Sequence, residues 1–311
     1  MRKQRMQVAV GVVRNAAGQI LIALRAPTLH QGGLWEFPGG KLEVGETADQ
    51  ALRRELKEEL DITVQSATPL ISICHQYPER EVQLLVFEVS GFSGLARGNE
   101  GQPVRWVEPE DLAAYTFPAA NRPIIAAVQL PPYYAILEAE NGAGLRVHWQ
   151  KIIASGATLV QIRAKGLPRA VVAAFLDELN VSGQGRGITV LVNSSLGLAE
   201  HPLVQGIHLT SQDLRALKQR PKNVRWLAAS CHNADELRYA QAIGADFAVL
   251  APVLPTLTHP DADALGWGAF SEWVAGVNLP VYALGGMALT SLAMARQAGA
   301  QGIASIRAFL V

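Results

Sequence analysis

Glu55, Glu58 and Glu59 stand at i, i+3 and i+4, a spacing that puts three carboxylates on one face if the segment is helical. The helix is well signalled. Thr47 with Gln50 three residues later forms a capping box, and Ala51, Leu52 and Leu56 supply an apolar side. Like charges at this spacing cost a helix about 0.2–0.5 kcal/mol per pair, so several together call for a compensating cation. All-oxygen donors suit Mg²⁺ or Mn²⁺, which share their remaining positions with waters and substrate phosphates. A solvated surface helix presents the same acidic face. Just before it, Phe37-Pro38-Gly39-Gly40 reads as a strand end and a glycine turn, where backbone can approach a ligand.

The longer pattern decides between these readings. Gly40 is followed after five residues by Glu46, after seven more by Arg54-Glu55-Leu56, and then by Glu58-Glu59 and Asp61-Ile62. This resembles the Nudix box, with Asp61 where the family has glycine; an aspartate can still visit the left-handed conformation. From Met6 to about Leu130 the chain is similar to the 8-oxo-dGTP diphosphatase (MutT-type) branch of the Nudix hydrolases. Arg25 and His30 match that branch's substrate residues at the end of the second strand, and Glu36-Phe37-Pro38-Gly39 matches its substrate loop. Asn121, in Phe117-Pro118-Ala119-Ala120-Asn121-Arg122-Pro123, matches the asparagine that reads the oxidised purine, and Glu100 matches a loop glutamate of the metal site. An asparagine amide can pair with a purine edge at two points, and an arginine suits phosphate or base stacking. Singly, each could be a strand-end charge, loop residue, helix cap or turn residue; in this order they favour function.

The resemblance implies Mg²⁺-dependent attack of water on a phosphoanhydride, giving a nucleoside monophosphate and pyrophosphate. Glu59 and the Gly39 carbonyl would hold a first metal, with Glu58 and Glu100 completing the array. Glu55 is the candidate base, or alternatively a ligand to a second metal. Glu46 and Arg54 would brace the loop and helix.

A length of 311 residues suggests two domains, and 49% hydrophobic content supplies material for both cores. With 27 basic and 27 acidic residues, nothing suggests a surface for duplex nucleic acid. Cys74 and Cys231 make no metal pair or disulfide framework, as expected in a reducing cytosol. The basic start and the short apolar stretch Val8 to Val13 do not make a signal peptide, and no apolar run reaches membrane-spanning length, so a soluble cytoplasmic protein is expected. The first half, 1–130, reads as an α+β sandwich whose mixed sheet carries the acidic helix. Its first strands, Gln7 to Arg14 and Gln19 to Arg25, read as a hairpin across Asn15-Ala16-Ala17-Gly18. Pro131-Pro132 marks the boundary.

From Tyr133 to Val311 the rhythm becomes strand, helix, strand, helix. Eight candidate strands begin near residues 133, 159, 188, 206, 225, 247, 280 and 302, as a compact (β/α)₈ barrel requires. Polar residues sit at their ends: Gln161, Arg163, Lys165, Asn193, His232, Thr256, Thr258, and the pair Gly285-Gly286, which suits a phosphate. The order resembles the thiamine phosphate synthase and thiazole tautomerase (TenI-like) family. The synthases place a Mg²⁺-pyrophosphate aspartate after the asparagine, where this chain has Ser194, and a lysine where it has His259; Asp213 keeps an acidic position. The resemblance therefore lies nearer the tautomerase type. His232 is the expected acid/base there, or part of a retained site for a thiazole phosphate or related ligand. Three functions remain open: a nucleotide-sanitising hydrolase with an accessory barrel, a thiamine-pathway enzyme whose hydrolase cleans damaged thiamine diphosphate, and a hydrolase carrying a non-catalytic sensor.

Overall fold

The computed structural model describes residues 5–28, 31–76, 81–256 and 263–310. The chain divides into two compact units, Met1–Gln129 and Leu130–Val311. No helix among the described residues is long and apolar enough to cross a membrane.

The first unit runs β1 (Arg5–Val13), β2 (Ile20–Leu24), β3 (Trp35–Glu36), β4 (Gly39–Lys41), α1 (Ala48–Leu60), β5 (Thr63–Gln76), β6 (Glu81–Ser93), β7 (Val104–Val107) and α2 (Arg122–Gln129). Two sheets form, ordered β4-β1-β6-β5 and β3-β2-β7. The first is mixed: β1 is parallel to β6 and antiparallel to β4.

The expected hairpin is not there. Strands β1 and β2 share one isolated bridge, Arg14 to Ile20, and then enter different sheets. Both are buried on both faces, with Ala9, Val12, Val13, Ile20, Leu21 and Ile22 wholly covered, so each strand needs cover on two sides, which a single hairpin cannot give. The expected glycine turn is likewise strand: Gly39 and Gly40 pair with Val10 and Ala9. A Cβ on Gly39, at φ +144, would stand 2.1 Å from the Ala9 carbonyl oxygen, so only glycine permits this close pairing.

Helix α1 begins as its capping box dictates, with the Gln50 amide donating to Thr47 (3.3 Å) and the Thr47 amide to Gln50 (2.9 Å). It ends at Asp61, in the left-handed conformation at φ 57, ψ 31. Ala51, Leu52, Leu56 and Leu60 bury the apolar side against Ala9, Val13, Leu21 and Val89, which turns the glutamates to the other side.

The second unit runs β8 (Tyr133–Leu137), α3 (Gly142–Ala154), β9 (Leu159–Ile162), α4 (Arg169–Ser182), β10 (Thr189–Asn193), β11 (Val204–Leu209), α5 (Ser211–Ala216), β12 (Trp226–Cys231), α6 (Ala234–Ala242), β13 (Phe247–Leu250), α7 (Gly266–Ala275), β14 (Val281–Ala283), α8 (Leu292–Gln297) and β15 (Gly302–Ser305). Its eight strands are parallel and closed, β15 pairing back to β8. One departure is local: a 3₁₀ turn, Ser194–Leu196, takes the place of a helix between β10 and β11. Strands covered on both faces carry near-continuous apolar runs, and the barrel interior is filled, with Tyr134, Phe247 and Tyr282 rings 5.4–5.5 Å apart.

Candidate functional site

Arg54 organises the acidic face of α1. Its guanidinium grips Glu46 at two points (2.9 and 3.0 Å), reaches Glu55 at 2.9 Å and Glu58 at 3.2 Å, and donates to the Lys41 carbonyl. The bracing expected of Glu46 and Arg54 is thus present. Their pairing holds the Glu46 carboxyl below its usual range and the Arg54 guanidinium above its own.

Glu59 has no such cation. Burial, and then the charges of Glu55, Glu36 and Glu100, push its carboxyl up to about 8, against the opposing hydrogen bond from the Gly39 amide (3.1 Å). Glu59 and Gly39 therefore meet through the Gly39 amide, a contact other than the shared metal expected of Glu59 and the Gly39 carbonyl. The loop carrying Glu100 is fastened to the end of α1, since the Asn99 amide and the Gln102 side chain both donate to the Glu59 carbonyl (2.8 and 3.0 Å).

Among the described residues no three acidic, histidine or cysteine side chains converge on one point as they stand. The donor set nevertheless fits a hard divalent cation: oxygen donors only, with the charges of Glu55, Glu36 and Glu100 bearing on a Glu59 carboxyl that no cation offsets. Glu55 and Glu58 already hold Arg54 and would have to turn from it to join a metal.

Beside this face, Glu36 pairs with Arg25. Burial raises the Glu36 carboxyl in spite of that partner. The Trp35 amide donates to the Thr116 carbonyl (2.9 Å), Trp35 meets Tyr115 edge-on, and Phe37 stacks on Phe117 at 5.3 Å. These contacts tie the loop 35–38 to the segment that carries Asn121. Phe37 and Pro38 are buried, so they shape the loop from beneath. Asn121 is 7% exposed, and its side chain has no hydrogen-bond partner among the described residues. His30 lies outside the described residues.

At the C-terminal ends of the barrel strands, Arg163 pairs with Glu138. Lys165 is exposed beside them; partial burial and then the Arg163 charge lower its ammonium below the usual lysine range. Gln161 is 1% exposed and its amide has no partner among the described residues. Asn193 accepts from the Ser195 amide and hydroxyl (3.2 and 2.7 Å). His232 is half-exposed, and its ring Nδ1 and backbone amide both face Glu236 (3.2 and 2.7 Å), which Arg215 also holds. Gly285 and Gly286 both take positive φ, +99 and +66. Thr256 is half-buried near this end, and Thr258 lies outside the described residues.

Sequence reasoning missed the floor of the barrel. His208 sits between the Tyr134 hydroxyl and the Ser230 hydroxyl, 2.9 Å from each, and burial, then the charge of Arg163, lower its imidazole to about 3. It is a neutral histidine at physiological pH. The signal was a lone histidine inside an apolar strand, Gly206-Ile207-His208-Leu209.

Residues 9–127 match the NUDIX domain model, and residues 133–309 match the model of thiamine monophosphate synthase. The first unit is 40% identical over 126 residues to the 8-oxo-dGTP diphosphatase of Escherichia coli K12, covering 40% of this chain and 98% of that protein. It is also 35% identical over 123 residues to the CTP pyrophosphohydrolase of the same organism, covering 40% of this chain and 91% of that protein. The second unit is 32% identical over 165 residues to the thiamine-phosphate synthase of Bacillus velezensis, covering 51% of this chain and 74% of that protein.

Proposed function

The chain belongs to two families in series, Nudix hydrolases and thiamine monophosphate synthases, and on that premise we propose that its N-terminal site hydrolyses 8-oxo-dGTP to 8-oxo-dGMP and pyrophosphate. The observation that carries this substrate is Asn121. Its carboxamide is largely covered and bonded to no described group, so it can meet a base edge that offers both a donor and an acceptor. Arg25, held by Glu36, and His30 flank the substrate in this reading, and the loop 36–39 positions it.

Glu59, with Glu58, Glu100 and the Gly39 carbonyl, would hold Mg²⁺ or Mn²⁺, which when bound neutralises phosphate oxygens and eases deprotonation of water. Glu55, kept in place by Arg54, accepts the proton of the attacking water. The water oxygen forms its bond to a phosphorus as the phosphoanhydride breaks, and pyrophosphate departs. The barrel serves as a binding site for a thiazole phosphate or a related phosphorylated ligand, with His232 and Glu236 at its mouth.

The deciding experiment is kcat/KM of the full-length protein with Mg²⁺ for 8-oxo-dGTP, dGTP, CTP and thiamine diphosphate, with products identified. A strong preference for 8-oxo-dGTP with release of pyrophosphate supports the reading. A preference for CTP or for thiamine diphosphate overturns it, and the latter would join both units in one pathway.

A further inference from the structure

Helix α1 ends in carbonyls that its own backbone cannot satisfy, and the loop before β7 satisfies them one by one. The Arg97 amide donates to the Leu60 carbonyl (3.2 Å) and the Asn99 side chain to the Glu58 carbonyl (2.9 Å). The Asn99 amide and Gln102 Nε2 both donate to the Glu59 carbonyl (2.8 and 3.0 Å). The fit within the loop is close, since a Cβ on Gly98 would stand 1.8 Å from the Gln102 carbonyl oxygen. At its far end the loop is fastened to β2, where the Leu24 amide donates to the Pro103 carbonyl (2.9 Å).

One side chain of this loop faces two ways. While Gln102 Nε2 holds the Glu59 carbonyl, its Oε1 accepts the Glu100 amide (2.9 Å). A single planar carboxamide, itself half-buried, thus joins the backbone of Glu59 to the backbone of Glu100. The Asn99 side chain docks the loop on Glu58 instead.

Glu100 has freedom to lose. It is exposed and is followed by Gly101 at φ +83, in a turn closed by the Gly101 amide and the Gly98 carbonyl (3.1 Å). Its charge nevertheless bears on the Glu59 carboxyl. A ligand on a loose loop has to be ordered when the ion binds, a cost that groups holding it beforehand remove. Groups that orient a ligand without touching the ion act in this way.

We infer that Gln102 is a positioning residue of the N-terminal metal site: its carboxamide fixes the backbone of Glu100 against that of Glu59, so that the two carboxylates meet a divalent cation together. This rests on the reading of Glu59 and Glu100 as metal ligands and assigns the group that brings them into one set.

The test is Mn²⁺ binding to the full-length, substrate-free protein, read by electron paramagnetic resonance of the free ion, for the parent, Gln102→Met, Glu100→Gln and the double variant. Methionine keeps the unbranched shape and offers neither the donor nor the acceptor. Gln102→Met should weaken binding about tenfold, the lower end of what a group orienting a ligand is worth, and Glu100→Gln should weaken it at least as much. The double variant should lie within about twofold of Glu100→Gln, because residues that act through one another do not add. Asn99→Ala, which frees the Glu58 carbonyl and leaves the Gln102 clasp, should stay within about threefold of the parent. Equal weakening by Gln102→Met in both backgrounds, or by Asn99→Ala as much as by Gln102→Met, would show a loop that is merely docked and overturns the inference. Weakening by Glu100→Gln but not by Gln102→Met overturns it alone. Binding indifferent to Glu100→Gln takes Glu100 out of the ligand set, and the inference falls with that reading.

Discussion

Gly40 faces Glu55 across so small a gap that a Cβ built on the glycine would stand 2.1 Å from the carboxyl carbon. The strand β4 and the helix α1 therefore meet backbone to side chain, and the glycine sets where the candidate base can lie. Gly40→Ala should swing the Glu55 side chain aside, because the far end of a flexible side chain yields before two packed elements do. The expected result is a fall in kcat of about 100-fold with KM within a few-fold, since displacement of about 1 Å from a reacting geometry costs that much. Kinetics with 8-oxo-dGTP, beside a thermal melt that moves little, check it; unchanged kcat would remove Glu55 from the chemistry.

Glu59 makes the metal-free protein sensitive to pH. Its folded value of about 8 lies above the ordinary carboxylate value of 4.5, so between those limits the folded chain binds more protons than the unfolded one. That contribution to stability is complete below about 4.5 and is lost as pH rises through 8. In EDTA the melting midpoint of the N-terminal unit should fall between pH 6 and 8.5, by about 4 °C for each kcal/mol lost, and Glu59→Gln should flatten the profile. Because a metal needs the carboxylate, the apparent Mg²⁺ affinity should rise about tenfold per pH unit up to 8. A pH-independent affinity would remove Glu59 from the ligand set.

What the sequence made legible follows the range of the interactions. The capping box, the i, i+3, i+4 glutamates and the left-handed end of α1 involve residues a few positions apart, and all are found in place. The barrel strands were legible because burial on both faces writes itself as unbroken apolar runs. Pairings over long separations were not. Tyr134 meets His208 across 74 positions and Glu138 meets Arg163 across 25, and neither local period nor spacing encodes such a contact. The same reason defeated the hairpin, since β1 chose β6 and β4 over its neighbour. Gly39-Gly40 misled for a different reason: two glycines signal a turn by propensity, yet here they serve close backbone pairing.

Asn121 should control discrimination more than turnover. Its amide is largely covered and bonded to no described group, so a base whose edge matches its donor and acceptor gains a contact that a mismatched base does not. Asn121→Ala should reduce the ratio of kcat/KM for 8-oxo-dGTP over dGTP by about 10- to 100-fold, the range of one two-point contact to a base edge. Activity on CTP should change little. Equal losses on all three nucleotides would mean that Asn121 holds the fold of its segment and reads nothing.

Asp61 carries the sharpest test of the departure within the box. At φ 57 it occupies a conformation that favours glycine, and its carboxylate pairs with Lys57 at 2.6 Å and Arg97 at 2.8 Å. Replacement by glycine relieves the backbone and forfeits two exposed ion pairs, and these effects oppose each other. Asp61→Gly should therefore leave the melting midpoint nearly unchanged, whereas Asp61→Val, which loses both pairs and adds a β-branched side chain at positive φ, should lower it by about 5 °C or more. Turnover should follow the same order, because the Glu59 carbonyl that anchors the Glu100 loop lies two residues before this turn. A valine variant as stable and active as the glycine one would show that the turn, and not the residue in it, decides the geometry of the acidic face.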